Sequence, residues 1–350
     1  MEGYEEMTCK RSGKFLGALV TCATVLAGST GIISAQPSAA TPKAGIHITI
    51  GFLQQELGAP YFKAMEVIAA SYAKEHGFSI VFENANLDPV TQLDQASDLV
   101  GRGVQALVID AVGGPSEKDY LLKIATKVPV VFEDNGIPGV GVATVQADNY
   151  NNGFQSGKMT GERFKLMGYK RGSTITMLSL HGMPGDVVVG PAREGGFFAG
   201  LKSEGFSYKI EGQADAEYNE DQAVPATEDM LARYPHPDLI LANNDSMGLG
   251  ALTVLKDDHN TTTLIAAASD GQKQALALMM PSPIGEGCHS QYISTGLNSP
   301  TLATIGGLKI AFAVASGQVK ASSVKKLVYT KSSGIDCHNV KQFYNPKSIF

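Results

Sequence analysis

The stretch Asp238–Leu252, DLILANNDSMGLGAL, carries the strand, turn and helix from which the fold is read. Leu239 to Ala242 is an apolar run with the length of a strand buried on both faces. Asn243, Asn244, Asp245 and Ser246 follow as a polar turn, and Met247, Leu249, Leu252 and Leu255 then recur at helical spacing. In an open α/β sheet such a turn lies at the carboxyl end of its strand, where ligands bind. Its Asn, Asp and Ser side chains can equally cap the following helix, so a single turn leaves both uses open. Repetition of the pattern along the chain decides between them.

Towards the amino end, residues 46–53 predict a first strand and 61–77 a helix stopped by Gly77. Residues 79–83 predict a second strand, and a helix opens at Asn86, Asp88 and Pro89. VQALVID at 104–110 reads as a third strand and 116–126 as a helix, and a fourth strand, 128–132, runs into Glu133, Asp134 and Asn135. A second run begins after 143–148. It has a helix at 152–166, a strand from 173 ending at His181, a helix at 191–204, a strand at 208–213 and a helix at 223–233. The quoted stretch comes next, then a strand from 264 that ends in Ser269-Asp270-Gly271 and a helix at 272–280. Beyond residue 290 the pattern predicts a helix at 301–316 and terminal strands that include 325–330. Strict alternation of this kind predicts an α/β fold, two doubly wound parallel halves in tandem. No strand is followed at once by G-x-G-x-x-G, and neither a Walker lysine loop nor a G-x-S-x-G elbow is present.

A chain of 350 residues accommodates two domains, and a formal net charge of -6 without a basic cluster argues against a nucleic-acid partner. Lys10, Arg11 and Lys14 precede an apolar stretch from Phe15 to Ala27, and Ile33-Ser34-Ala35 reads as a cleavage site. That stretch is too short to span a bilayer. Residues 1–35 therefore read as a secretory signal, with Met7 as an alternative start, and 36–45 as a disordered leader. Cys22 follows Leu19-Val20-Thr21, a poor lipid-attachment signal. Export leaves Cys288 and Cys337, which in an oxidising compartment invite a disulfide. Two cysteines are less than a coordination set, so no metal site is expected, and no cofactor either.

Six pieces of the chain resemble a known family in register. They are Ala59-Pro60-Tyr61-Phe62; Leu87-Asp88-Pro89 with Gln92-Leu93; Val128-Pro129-Val130-Val131 followed by Asp134; Pro191 to Phe197; Asn243 to Leu252; and Ser269-Asp270-Gly271. The family is that of the periplasmic sugar-binding proteins of ABC importers, in the ribose- and galactose-binding group, and the likeness covers about 46–330. It implies a type I periplasmic binding protein of two Rossmann-like domains, in which 46–147 plus 292–330 form one lobe and 148–291 plus 331–350 the other. A hinge of three crossings would join them. It implies that Tyr61, Phe62 and Tyr218 cover a sugar ring, that Asp134, Asn244 and Asp270 take hydroxyls with Asn135 and Arg193 alongside, and that Gln291 lies at the hinge. The implied partners are a sugar or polyol and an inner-membrane ABC permease, with a chemoreceptor or sensor kinase as a further possibility for a periplasmic sensor. A Cys288–Cys337 bond would fasten the tail to the second lobe.

The chain also departs from that family. Asn135 and Pro191 stand where ribose-binding proteins carry arginines, and there is no Trp to stack a hexose. Each residue singled out has a bland alternative: Tyr61 and Phe62 as core, Asp270 as a cap, Arg193 paired with Glu194 at the surface, and Asp110 and Glu133 as mere turn openers. An exported hydrolase would have to be built from Ser179 with His181 or from Ser246 beside Asp245, and neither forms an elbow, so no enzyme is expected. A sugar-responsive repressor would need a DNA-binding element ahead of the first strand, where the signal segment stands.

Overall fold

The computed structural model describes residues 47–184, 186 and 188–350. The signal segment and leader expected within residues 1–45 lie outside them. In chain order the elements are β1 (Thr49–Gln54), α1 (Pro60–His76), β2 (Ser79–Asn84), α2 (Pro89–Gly101), β3 (Ala106–Ile109), α3 (Lys118–Ala125), β4 (Val130–Glu133) and β5 (Ala143–Gln146). Then come α4 (Asn149–Leu166), β6 (Thr174–His181), α5 (Val189–Ser203), β7 (Ser207–Asp215), α6 (Glu220–Arg233), β8 (Leu239–Ala242), α7 (Asp245–Asp257), β9 (Leu264–Ala267) and α8 (Lys273–Met279). The last are β10 (Tyr292–Gly296), α9 (Pro300–Ala315), β11 (Leu327–Tyr329) and β12 (Gly334–Asp336).

The strands form two six-stranded sheets, ordered β11-β5-β4-β3-β1-β2 and β12-β10-β9-β8-β6-β7. Every pairing is parallel except that of β12, which runs antiparallel to β10. Parallel strands covered on both faces need apolar residues at every position, and β3, β8 and β9 are buried throughout. In the first lobe Ile50 and Phe52 of β1 join the layer under α1 and α9, while Leu53 joins the opposite layer under α2 and α3. The second lobe repeats the arrangement, with β8 sending Ile240 to one layer and Leu239 and Leu241 to the other.

Helix ends follow local chemistry. Pro60 opens α1 and Gly77, at φ 73°, closes it, while Asp88, Asp148, Asn219, Asn244 and Ser299 each accept a backbone N–H at a helix start. Helices α4 and α5 meet backbone to backbone. A Cβ on Gly153 would lie 1.9 Å from the Arg193 carbonyl, and one on Gly196 2.0 Å from that of Tyr150. Only glycine permits that approach, and it fixes where Arg193 leaves its helix.

The chain passes between the sheets three times, after β5, after β10 and after β11. The second passage corrects the sequence expectation. Tyr292–Gly296 is β10 of the second sheet, paired with β9 and β12, so the crossing starts at Leu297 and not at residue 292. Among the described residues no helix is long and apolar enough to cross a membrane.

Candidate functional site

Parallel strands place all their carboxyl ends on one rim, and the rims of the two sheets share a set of side chains. From the first lobe come Tyr61 at the start of α1, Asp110 after β3, and Glu133, Asp134 and Asn135 at the end of β4. From the second come Arg193 on α5, Tyr218 after β7, Asn243 and Asn244 after β8, and Asp270 after β9. Asn298 belongs to the crossing itself, and its Oδ1 accepts the Tyr61 hydroxyl at 3.2 Å, joining hinge and first lobe.

Arg193 is the centre of the second rim and is only 4% exposed. Its Nε donates to Asn149 Oδ1 at 2.9 Å and its Nη1 to the Asn243 carbonyl at 3.1 Å, while Nη2 lies 3.5 Å from Asp270 Oδ1. The guanidinium stands 5.7 Å from the centroid of the Tyr218 ring. Burial opposes its charge, but Asp270, Tyr218 and Asp134 outweigh that and hold it protonated. Asp270 keeps a φ of 122°, unusual for a side-chain-bearing residue and the kind of backbone outlier found at functional sites. Burial pushes its carboxyl up, and Arg193 with the amides of Asn298 and Asn244 pulls it back.

The first rim is acidic. Asp110 and Glu133 are fully buried. Asp110 Oδ1 accepts from Gln55 Nε2 at 2.8 Å and from the Asn135 amide and backbone N–H at 3.1 and 3.2 Å, while Oδ2 has no partner. Glu133 Oε1 accepts Gln54 Nε2 at 2.8 Å, and Oε2 has no partner. Burial raises Asp110, and the charge of Asp134 raises it further; burial likewise raises Glu133, with Asp110 adding to it. Asp134 is raised by burial too, although Arg193 across the cleft lowers it. Polar side chains on facing strand ends, one buried guanidinium and rings of Tyr61 and Tyr218 make a site that can grip a small polar molecule by hydrogen bonds and cover its apolar face.

Residues 50–318 match the family described as periplasmic binding protein domain. The chain belongs to that family. Its members of this kind bind solutes and are not enzymes. This binding protein is 25% identical over 252 residues to the ribose import binding protein RbsB of Haemophilus influenzae, covering 71% of this chain and 83% of that one. It is 26% identical over 270 residues to the xylitol-binding protein of Mycolicibacterium smegmatis, covering 76% and 72% of the two chains. An ABC transporter solute binding protein from Mycobacterium smegmatis with bound glycerol superposes with a TM-score of 0.73 at 25% identity, over 86% of this chain and 98% of that one.

Within this binding protein the residues expected at the site divide by what occupies their polar atoms. Tyr61, Asp134, Arg193, Tyr218, Asn244 and Asp270 lie on the facing rims. Phe62 stands edge-on to Tyr61 at 5.5 Å and packs partly into the first lobe's core. Asn135 is spent on Asp110. Asn244 caps α7, accepting Met247 N–H at 3.0 Å, and gives its amide to the Tyr218 carbonyl. Tyr218 donates to Asp186, whose carboxylate also accepts three N–H groups at the start of α5. Gln291 is at the wrong end of its sheet. It precedes β10, and its amide donates to the carbonyls of Asn260 and Thr263, on the rim away from the cleft. Asn298, seven residues on, holds the hinge position in its place, and the Ser299-Pro300 start of α9 was the signal that could have located it.

Sequence reading also missed Gln54, Asn149 and Phe350. The ring of Phe350 stands edge-on to Tyr61 at 5.5 Å and fills the first lobe's core. The hydrolase fragments do not assemble. Ser179 donates to Glu194 at 2.6 Å, and His181 Nε2 lies 3.2 Å from the same oxygen, so the carboxylate and not the imidazole faces the hydroxyl. Ser246 donates to Gln272 Oε1, and Asp245 is taken by Tyr292 and the Gln272 N–H. Cys288 and Cys337 form a disulfide within the second lobe, with His338 beside it.

Proposed function

We propose that this chain is an exported solute-binding protein that closes its two lobes on a small hydroxylated molecule, a sugar or polyol, and delivers it to an ABC permease. The observation that carries the reading is the convergence of Asp134, Arg193 and Asp270 from opposite lobes onto one cleft, flanked by Tyr61 and Tyr218. Such a cleft meets hydroxyls that both donate and accept, and it does so with groups held in place before the ligand arrives. Relatives named for ribose and xylitol support the same ligand class. Tyr61, Asp134, Arg193, Tyr218 and Asp270 are the residues assigned to contact it. Delivery would follow removal of residues 1–35 as a signal, and the loaded form could also be read by a chemoreceptor or sensor kinase.

A thermal-shift panel of pentoses, hexoses and polyols on refolded protein tests the reading. A ligand at about a hundred times its dissociation constant adds roughly 2.7 kcal/mol of stability. Arg193→Ala is expected to weaken the winning ligand by a hundredfold or more, about 2.7 kcal/mol, for loss of a buried charged donor. A panel without any hit, or an Arg193→Ala protein that binds as well as the parent, overturns the reading.

A further inference from the structure

The two rims are unequal in charge. The first lobe brings Asp110, Glu133 and Asp134 to its strand ends, and among the described residues no Lys or Arg lies within ion-pair distance of any of them. The second lobe brings Asp270 and the single cation Arg193, whose Nε, Nη1 and Nη2 are directed to Asn149, Asn243 and Asp270. One positive charge, already engaged, faces four carboxyl groups.

The hydrogen bonds of the cleft point the same way. Around the cleft the buried side-chain atoms that lack a partner are oxygens: Asp110 Oδ2, Glu133 Oε2, Gln54 Oε1, Asn152 Oδ1 and Asn243 Oδ1. The amide oxygens could exchange places with their nitrogens, whereas the carboxyl oxygens of Asp110 and Glu133 gain a donor only by taking up a proton. Asp110 lies between Gln55 and Asn135, in the crevice formed by the turns after β1 and β4, and Asp134 beside it faces Arg193. A site short of donors and of positive charge is complemented by a group with several N–H donors and no acceptor. A hydroxyl supplies one donor, whereas an ammonium supplies three together with a charge.

A bare metal ion fits less well. Among the described residues the one grouping of three His, Cys, Asp or Glu ligand atoms within 4.8 Å of one another is Cys288, Cys337 and His338, away from this rim and with its two sulfurs bonded to each other. Among the described residues no three of the cleft carboxyl groups bring ligand atoms within 4.8 Å of one another.

We infer that the solute is a hydroxylated amine, such as an amino sugar or an aminocyclitol, with its ammonium directed to Asp110 and Asp134 of the first lobe. The inference rests on the cleft being the solute site and names the class of solute it takes. Glu133, held by Gln54 and close enough to act on Tyr61, adds to the field without needing contact. Arg193 and Asp270 then serve the hydroxyl-bearing part of the molecule. The upward push that burial gives Asp110, Glu133 and Asp134 is the cost that a bound cation relieves.

Calorimetry on the refolded full-length mature protein, with matched pairs of probes, tests this. The pairs are D-glucosamine with D-glucose, D-galactosamine with D-galactose, and scyllo-inosamine with scyllo-inositol. In at least one pair the amine is expected to bind tenfold or more tightly than its neutral parent. Asp110→Asn, which keeps shape and removes charge, is expected to bring the ratio of amine to neutral-parent affinity close to one. Glu133→Gln is the second variant should the first fail to fold, and it is expected to reduce the preference by a smaller factor. If neutral sugars or polyols bind and their amines bind equally or more weakly, the amine inference fails and the solute-binding reading stands. If no amine and no neutral sugar or polyol binds, both fail together.

Discussion

The rim of the first lobe and the rim of the second are built from the same strand, turn and helix grammar, yet their polar residues do different work. In the second lobe the carboxyl groups at the strand ends answer other groups of the same lobe, and the buried oxygens left without a partner there are the amide ones of Asn152 and Asn243. Asn244 caps α7, Asp186 gathers three N–H groups and the Tyr218 hydroxyl, and Asp245 accepts Gln272 N–H at 2.6 Å and the Tyr292 hydroxyl at 2.5 Å. In the first lobe Asp110 and Glu133 are equally buried, yet each keeps one oxygen without a partner. A satisfied buried carboxylate holds its own lobe together, while an unsatisfied one costs stability until something fills the gap. On the proposed reading the second rim serves as the platform and the first as the half that takes a donor.

The largest expected effect sharpens the platform half of that contrast. The Cys288–Cys337 bond spans 49 residues of the second lobe. On the chain-entropy account its removal, as the double Cys→Ser variant, lowers unfolding free energy by about 4 kcal/mol. Denaturant unfolding would reveal this, and ligand affinity is expected to be unchanged because neither cysteine is on the cleft rim. A loss of affinity equal to the loss of stability would break the separation between fastening and binding.

The same isosteric change, Asp→Asn, is next made on each rim. In Asp245→Asn the amide can keep its oxygen on the Gln272 N–H and give its nitrogen to the Tyr292 oxygen, which leaves the buried Tyr292 hydroxyl hydrogen without its acceptor, at a cost of about 2 kcal/mol. In Asp110→Asn the retained oxygen still accepts its three donors, and the new amide replaces an oxygen that had no partner. Asp110 has a folded-state pKa above its ordinary value of 3.8, so its charge subtracts stability as pH rises past that value. Asp110→Asn is therefore expected to leave the denaturation midpoint at about pH 8 unchanged or raised. If both variants lose stability alike, the rims do not differ as described.

The smallest effect concerns the pair behind the second rim. His181 is raised by its hydrogen bond to Glu194, against the effect of burial, with Glu194 and Asp215 adding charge. For Glu194 burial works upwards, but the hydrogen bonds from His181 and Ser179 prevail and lower it. A raised histidine contributes fully below its ordinary 6.5 and loses that contribution as pH rises through the folded value. A lowered glutamate contributes fully above 4.5 and loses it as pH falls through its folded value. Between those limits both contribute, so His181→Gln should lower the melting temperature by a few degrees at about pH 5.5 and by less at about pH 9. Equal losses at the two pH values would mean that the imidazole acts by packing alone.

Much of the fold was legible because its signals are local. Apolar runs of four to six residues, a proline or an Asx or Ser residue at a helix start, and Gly77 at a helix end are each set by residues within one turn of the chain. Strand ends were read to within a few residues, and the rim residues followed from them. The hinge was misread because Tyr292-Ile293-Ser294-Thr295-Gly296, polar and glycine-terminated, does not look like a central strand. Its burial is supplied by β9, β12 and the glycine-lined α4, not by its own composition.

The sequence by itself determined that strands alternate with helices in two tandem halves and that Asp110, Asp134, Asn244 and Asp270 end up at strand termini. Only the tertiary structure decided which of those groups is already spoken for. Asn244 finds its partner three residues away, whereas Tyr61 finds Asn298 across 237 residues and Arg193 finds Asp270 across two elements of the second sheet. Strand and helix are fixed by short-range backbone and patterning energies, but hydrogen-bond satisfaction is a pairwise property of distant residues, and it exists only once the chain has folded.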